Sequence, residues 1–417
     1  MRGSTNAMAK RRQCGWAWLA PVAVLAVSSV MTTACQGGRV AAKQPPPVQV
    51  MISPTQGSVD DRPDLGVMVS ASGGRLTGVT VENTDGTQLA GYLDPGGTTW
   101  HSTWALAAPQ TYAVTATAAG PRGRTSTEHS IFRTSAPART FTASVDMAPG
   151  ETVGVGMPIM VTFSRSIHDK AQVERSFTLQ SSKPVVGAWY WLDDKTVWFR
   201  PKKYWPVHDK VRFTAHLAGV RGANGMYGAA DLSRHFNVGE SLVTVAGTSS
   251  HRMKVWVNGK LKFDWPISTG QPGDDTPDGR YLTIEKGNPV DMDSCSFGVC
   301  PGDPGYYNVL VYDSVRFTWS GDYIHSAPWS VGEQGFTNVS HGCVNLAPGY
   351  AAWYYDHAVR GDPVTVAGSP VRGTWGDGWT IWFLSWQKLV KGSALKQAMV
   401  AGPDGSYFAR PGALTAP

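Results

Sequence analysis

The chain has 417 residues, more than one hydrophobic core usually serves, so two to four domains are expected. Charged residues make up only 16%, while Gly (47) and Pro (28) are abundant, which favours strands and turns and argues against long helices. The net charge of +6 would suit a polyanion, but Arg2, Lys10, Arg11 and Arg12 precede an apolar run from about Trp16 to Met31; without them the excess is about +2, too small for nucleic-acid binding.

Residues 1–34 read as an export signal, with a basic start, an apolar stretch, small Thr32, Thr33 and Ala34, and no acidic residue. Met8 is an equally good start. Cys35 follows, and the arrangement resembles a bacterial lipoprotein signal in which that cysteine is lipidated. The expectation is an exported protein of the cell envelope, held on the outer face of the plasma membrane. Thr32 departs from the Leu usual at its position, and an ordinary cleaved signal or an uncleaved anchor is the alternative. Residues 35–47, ending in Pro45-Pro46-Pro47, form a tether. No later stretch reaches the roughly 18 apolar residues of a spanning helix.

From Val48 to Ala138 short alternating runs recur between Gly, Pro, Asp and Ser: Leu65, Val67, Val69; Val79, Val81; Tyr112, Val114, Ala116. Residues 139–240 repeat the style with Ile159, Val161, Phe163, then Val197 and Phe199, then Val211 and Phe213, closing at Phe236 and Val238. Two such blocks suit tandem immunoglobulin-like β-sandwiches, and neither carries a constellation that points to chemistry. The third block, 241–368, opens with Val255, Val257, Leu261 and Phe263 around Asn258-Gly259, a two-residue hairpin signal. A second turn at Ser320-Gly321-Asp322 places Tyr323, Ile324 and His325 on a strand. Pro348 to Arg360, closed by Gly361, predicts a helix, and Val364 to Val366 a returning strand. Residues 369–417 hold Trp375, Trp379, Trp382 and Trp386, too apolar for a free end, and are expected to pack on the third domain. The predicted class is mainly β, with short helices.

The cysteines sort by place. Cys14 leaves with the signal, and Cys295 and Cys300 are close enough to bridge in an oxidising compartment, a two-thiol metal site being the weaker alternative. Cys343 remains unpaired, as a buried apolar residue or a reactive one. Thiolate chemistry needs a pKa lowered from about 8.5 by an imidazole or a helix N-terminus, and amide donors for an oxyanion. Ser340-His341-Gly342-Cys343-Val344-Asn345 lies just before the predicted helix, Gly342 admits a substrate carbonyl close to the backbone, and His325 is the candidate base.

Tyr323-Ile324-His325-Ser326-Ala327-Pro328-Trp329, followed by Ser340-His341-Gly342-Cys343-Val344-Asn345, resembles the signature of the YkuD-type L,D-transpeptidases. The likeness is greatest to mycobacterial-type members, with two immunoglobulin-like domains ahead of the catalytic domain, and runs from the first sandwich to the Trp-rich tail. By resemblance, Cys343 is the acylated nucleophile and His325 the general base and acid. The Ser326 carbonyl holds the other imidazole nitrogen. The Gly342 and Cys343 amides, with the Tyr307 hydroxyl, form the oxyanion site, while Ser340, His341 and Asn345 shape the nucleophile loop. Met292, Tyr307 and Trp329 match the lid and pocket wall. Duller readings stand beside these: Asn345 as a loop hydrogen-bonder, and Tyr307, Met292 and Trp329 as packing. Cys295 and Cys300 fall in the stretch matching the mobile lid, outside the general pattern, so a bridge there would restrict it.

The resemblance implies peptidoglycan stem peptides as partners, a tetrapeptide donor and an acceptor amine joined between their third residues, with release of D-Ala. It also implies covalent inhibition by carbapenems and no metal or organic cofactor. An L,D-carboxypeptidase on the same fold, or a non-catalytic cell-wall-binding module, is the alternative.

Overall fold

The computed structural model describes residues 47–409; the expected signal, Cys14, Cys35 and most of the tether lie outside the described residues. The first domain is a β-sandwich. Strands Gln49–Ser53, Met68–Ser72, Thr99–Ser102 and Gly91–Leu93 form one antiparallel sheet, and Arg75–Asn83, Thr111–Ala119 and Thr125–Arg133 the other. Alternation along these strands turns Val69, Val81, Tyr112, Val114 and Phe132 into a shared core. Leu65 breaks the predicted alternation: it is 72% exposed, in a 3-10 turn opened by Pro63, whose fixed φ and missing N–H start a turn in place of a strand.

In the second domain, Thr152–Val153, Leu232–Val238, Lys210–Ala215 and Phe177–Ser181 form one sheet. The other has six strands, and two of them, Met399–Gly402 and Gly405–Phe408, come from the C-terminal tail. Trp189, buried among Phe177, Phe199 and Phe213, centres the core between them.

The tail, expected to pack on the third domain, reaches the second as well. Phe383 does pack on the third, edge-on to Tyr281, but Met399–Gly402 pairs with Val185–Gly187 and covers an edge of the second sandwich that would otherwise present unpaired backbone. Trp382 donates its indole N–H to the Gly156 carbonyl at 2.8 Å, while Trp375 stays 43% exposed.

The third domain is built on two sheets. One has strands Lys260–Pro266, Arg252–Val257, Leu242–Gly247, Pro363–Ala367 and Gly279–Leu282 in that order. The Asn258-Gly259 turn has positive φ at both positions, as a type I′ hairpin requires, and joins Val257 to Lys260. The other sheet orders Glu285–Gly287, Asn308–Arg316, Tyr323–Ser326 and Val344–Leu346, with Val290–Asp293 also paired to Asn308–Arg316. Its core side packs against the helix Pro348–His357 through Ile324, Val344, Ala351 and Tyr354. The helix stops short of the predicted Arg360, because the next residues serve the domain junction: Val359 N–H donates to Asp362 Oδ2, and the Arg360 carbonyl accepts from Gly154 N–H. Among the described residues, no helix is long and apolar enough to cross a membrane.

Candidate active site

Two strands position the chemistry. Tyr323–Ser326 and Val344–Leu346 run parallel, with Ile324 opposite Val344 and His325 opposite Asn345. Strand alternation sends Ile324 and Val344 into the core and leaves His325, Asn345 and, two residues before it, Cys343 on the opposite face. That face lines a cleft of about 300 Å³, shared by Met292, Tyr307, Val309, Val311, His325, Trp329, Val339, Ser340, His341, Cys343 and Asn345. Eight of the ten catalytic and pocket residues singled out from sequence thus line one cleft, and the other two, Ser326 and Gly342, adjoin His325 and Cys343 in the chain.

His325 is buried, and its Nδ1–H donates to the Ser326 carbonyl at 2.9 Å. A carbonyl only accepts, so the proton sits on Nδ1 and Nε2 keeps its lone pair. Burial, offset in part by that hydrogen bond, holds the imidazole down to about 4. Cys343 keeps part of its surface in the cleft, but its sulfur is turned inward. It accepts from Tyr323 N–H at 3.4 Å and donates to the Gly321 carbonyl at 3.7 Å. Burial, with the Asp322 carboxylate beside it, pushes the thiol up to about 12. Among the described residues the sulfur makes no hydrogen bond to the imidazole.

The expected lowering of the thiol pKa is therefore reversed in this conformation. The strand Val344–Leu346 separates Cys343 from the helix at Pro348, so the helix N-terminus is not at the sulfur. At neutral pH the pair is a neutral thiol and a neutral imidazole.

The two amides expected to hold an oxyanion differ in how far they are engaged. Gly342 N–H donates to Ser340 Oγ at 3.3 Å, a long bond, while the Cys343 N–H has no acceptor among the described residues. Ser340 Oγ donates to the Cys343 carbonyl at 2.6 Å and Thr276 Oγ1 to the Gly342 carbonyl at 2.6 Å, which fixes the peptide planes of the loop. Gly342 has φ +125°, and a Cβ there would stand 2.5 Å from Asp322 Oδ1, so both conformation and space demand glycine. Tyr307 stacks on His341 at 4.6 Å, and burial followed by the charge of Cys343 raises its phenol to about 12, so it remains a donor. Asn345 Nδ2 donates to Ser330 Oγ at 3.0 Å, tying the strand to the loop that follows His325. Trp329 stands at the rim, 56% exposed and 6.0 Å from the imidazole.

Sequence reading missed Thr276 and Asp322. Thr276 carried no signal, being a lone hydroxyl 67 positions before Cys343. Asp322, in a Ser-Gly-Asp turn, reads as a solvated charge and is buried. Cys295 and Cys300 are joined as a disulfide, between Val290–Asp293 and Asn308–Arg316.

Residues 241–366 match the L,D-transpeptidase catalytic domain family, and residues 58–221 match the bacterial Ig domain family. The chain is 35% identical over 402 residues to L,D-transpeptidase 2 of Mycobacterium tuberculosis, covering 93% of this chain and 98% of that one. It belongs to the L,D-transpeptidase family. L,D-transpeptidase 5 of the same organism is 33% identical over 391 residues, 91% of this chain and 84% of that relative. A solved L,D-transpeptidase in complex with imipenem is 38% identical and covers 54% of this chain and 97% of that one, at a TM-score of 0.47. As an L,D-transpeptidase, the chain carries its family signature on the two strands that meet at the cleft, with the sandwiches and the tail outside it.

Proposed function

We propose that this L,D-transpeptidase cross-links peptidoglycan stems through a thioester on Cys343. The observation that carries the reading is the tautomer of His325: with Nδ1–H held by Ser326, Nε2 is the one basic atom the imidazole offers, and His325 and Cys343 line the same cleft. Because both groups rest neutral, Nε2 takes the thiol proton as the sulfur attacks the carbonyl of the donor's third residue, and no preformed ion pair is needed. The tetrahedral oxyanion falls to the Cys343 amide, the loosely held Gly342 amide and the Tyr307 hydroxyl. The imidazolium returns its proton to the departing D-Ala amine, leaving the thioester. A side-chain amine of a second stem then attacks, passes its proton to Nε2 and releases the thiol.

A second cavity of about 340 Å³ supports a two-substrate reaction over hydrolysis alone. It shares Met292 and Tyr307 with the first, and is lined by Gly321 and Tyr323, the residues that touch the sulfur. Asp291, Asp293 and Arg316 make its wall polar, which suits an amine-bearing stem that sheds its extra proton to solvent before it attacks. Purified protein incubated with tetrapeptide stems is expected to yield cross-linked dimers by mass spectrometry; trimmed tripeptides alone would make it a carboxypeptidase, and unchanged stems would leave a wall-binding module.

The same thiol is proposed to open carbapenems, whose strained lactam carbonyl offers an acyl group to a nucleophile. The proposed placement is the outer face of the plasma membrane, through lipid on Cys35. Lipid labelling that persists in Cys35→Ala would sink that part.

A further inference from the structure

Behind the proposed nucleophile lies a carboxyl group that the reaction above does not use. Asp322 is 9% exposed, and its Oδ1 closes against the backbone of Gly342, where a Cβ would stand 2.5 Å away. Oδ2 accepts from Thr318 Oγ1 at 3.0 Å, and the same hydroxyl accepts the Asp322 N–H at 2.8 Å. Ser320, two residues earlier, is held by Asp377 of the tail, through N–H to Oδ1 and Oγ to Oδ2, each at 2.7 Å. The residues on either side of Asp322 carry both hydrogen-bond partners of the sulfur, the Gly321 carbonyl and the Tyr323 N–H. Asp322 is therefore the anchor of the turn that cradles Cys343.

The groups around this carboxyl offer it no counter-charge. Asp377 faces it from the tail, Cys343 and Tyr307 from the cleft side, and Tyr281 from the neighbouring sheet. Arg316, on the same hairpin, pairs with Glu285 and lies over Trp319 and Tyr323. Among the described residues, no Lys, Arg or His forms an ion pair with Asp322.

We propose that Asp322 is a positioning residue whose charge sets the reactivity of Cys343. Neutral, it holds the turn and lets negative charge develop on the sulfur and the oxyanion. Ionised, it places an anion against the Gly342 backbone and opposes both. Burial, lessened by the Thr318 hydroxyl and reinforced by Asp377, raises the carboxyl to about 7, so the change falls in the neutral range. The inference rests on Cys343 as nucleophile.

The sign follows from the two titrations. Acylation rises as His325 loses its proton near 4, then falls to a lower plateau as Asp322 loses its proton near 7. The test is the second-order rate of acylation by imipenem between pH 5 and 9, followed by intact mass, for the wild type, Asp322→Asn and Cys343→Ala. The wild-type rate is expected to drop roughly three- to tenfold between pH 6 and 8, and Asp322→Asn to lack the drop and exceed the wild type by that factor at pH 8. A merely structural role would slow Asp322→Asn equally at every pH, and parallel profiles overturn the proposal. Should the Asn variant fail to fold by circular dichroism, the wild-type profile decides, a flat rate from pH 6 to 8 being the contrary result. An adduct on Cys343→Ala would instead remove the nucleophile reading itself.

Discussion

A thiol pushed up to about 12 beside an imidazole held down to about 4 makes no ion pair at neutral pH, so Cys343 and His325 differ from cysteine sites that rest as thiolate and imidazolium. The thiolate absorbance near 240 nm, read as the difference between wild type and Cys343→Ala, is therefore expected to be nil at pH 7 and to grow only in alkali. A full thiolate signal at pH 7 would overturn the neutral resting state. In the proposed mechanism the proton leaves in concert with attack, so His325→Gln should keep the fold and lose about 10²- to 10⁴-fold in carbapenem acylation rate. Stopped-flow measurement of the adduct checks this, and a loss under tenfold would assign proton removal to another group. The residue types at the site were legible from the paired segments around His325 and Cys343. Their ionisation was not, because it depends on which way the sulfur turns and on Asp322, 21 positions away and hidden by the fold.

At the scale of the element, the Cys295–Cys300 bridge lies in the stretch that the resemblance implies to be the lid. The Cys295–Cys300 bridge closes a short loop whose next-door residue Ser294 is the clasp on Tyr307: Ser294 N–H donates to the Tyr307 carbonyl and Tyr307 N–H to Ser294 Oγ, each at 3.0 Å. Ser294 Oγ also donates to the Val299 carbonyl at 2.8 Å, inside the bridged loop. Closing so short a loop constrains the open chain by about 2 kcal/mol, and the gain belongs to a segment that can open without the core. In the double variant Cys295→Ser, Cys300→Ser, amide exchange across residues 293–307 should accelerate while the unfolding midpoint barely moves. Unchanged exchange would mean that strand pairing alone holds the lid. The hairpin at Asn258-Gly259 and the strand ending at His325 were legible because turn chemistry is local. The early end of the helix at His357 was not, since Val359 and Arg360 are diverted by Asp362 and Gly154, partners set by domain contact.

Across the whole molecule, the second sandwich and the catalytic domain are fastened by groups far apart in the chain. Arg360 pairs with Glu151 at 3.0 Å and Asp146 at 3.2 Å, and Arg200, buried and still charged at about 10, donates to the Leu384 carbonyl at 2.8 Å with its guanidinium 4.2 Å from the Trp382 ring. Tandem sandwiches could be read from their alternating runs, but no local pattern announces a junction whose members are 146, 151, 200, 360 and 382. Asp362 sits at its centre, with no exposed surface, one oxygen accepting Val359 N–H and the other without a partner among the described residues. Gly154 of the sandwich closes over it so tightly that a Cβ would stand 2.4 Å from Oδ1. Burial, against weaker help from the Val359 amide and Lys286, raises this carboxyl well above the usual carboxylate range. A raised folded pKa means that the folded state holds the proton more tightly than the unfolded chain, so the stabilisation is complete in acid and is lost as pH rises through the folded value. The Asp362 contribution to the unfolding midpoint should accordingly fall between pH 5 and pH 8, with Asp322 acting in the same direction and His325, whose imidazole is held down, opposing it over the lower part of that range. Asp362→Asn keeps the shape without the titration, so calorimetry at those two pH values should show a shallower fall for the variant. Equal slopes for the two proteins would mean that the junction does not hold Asp362 in its protonated form.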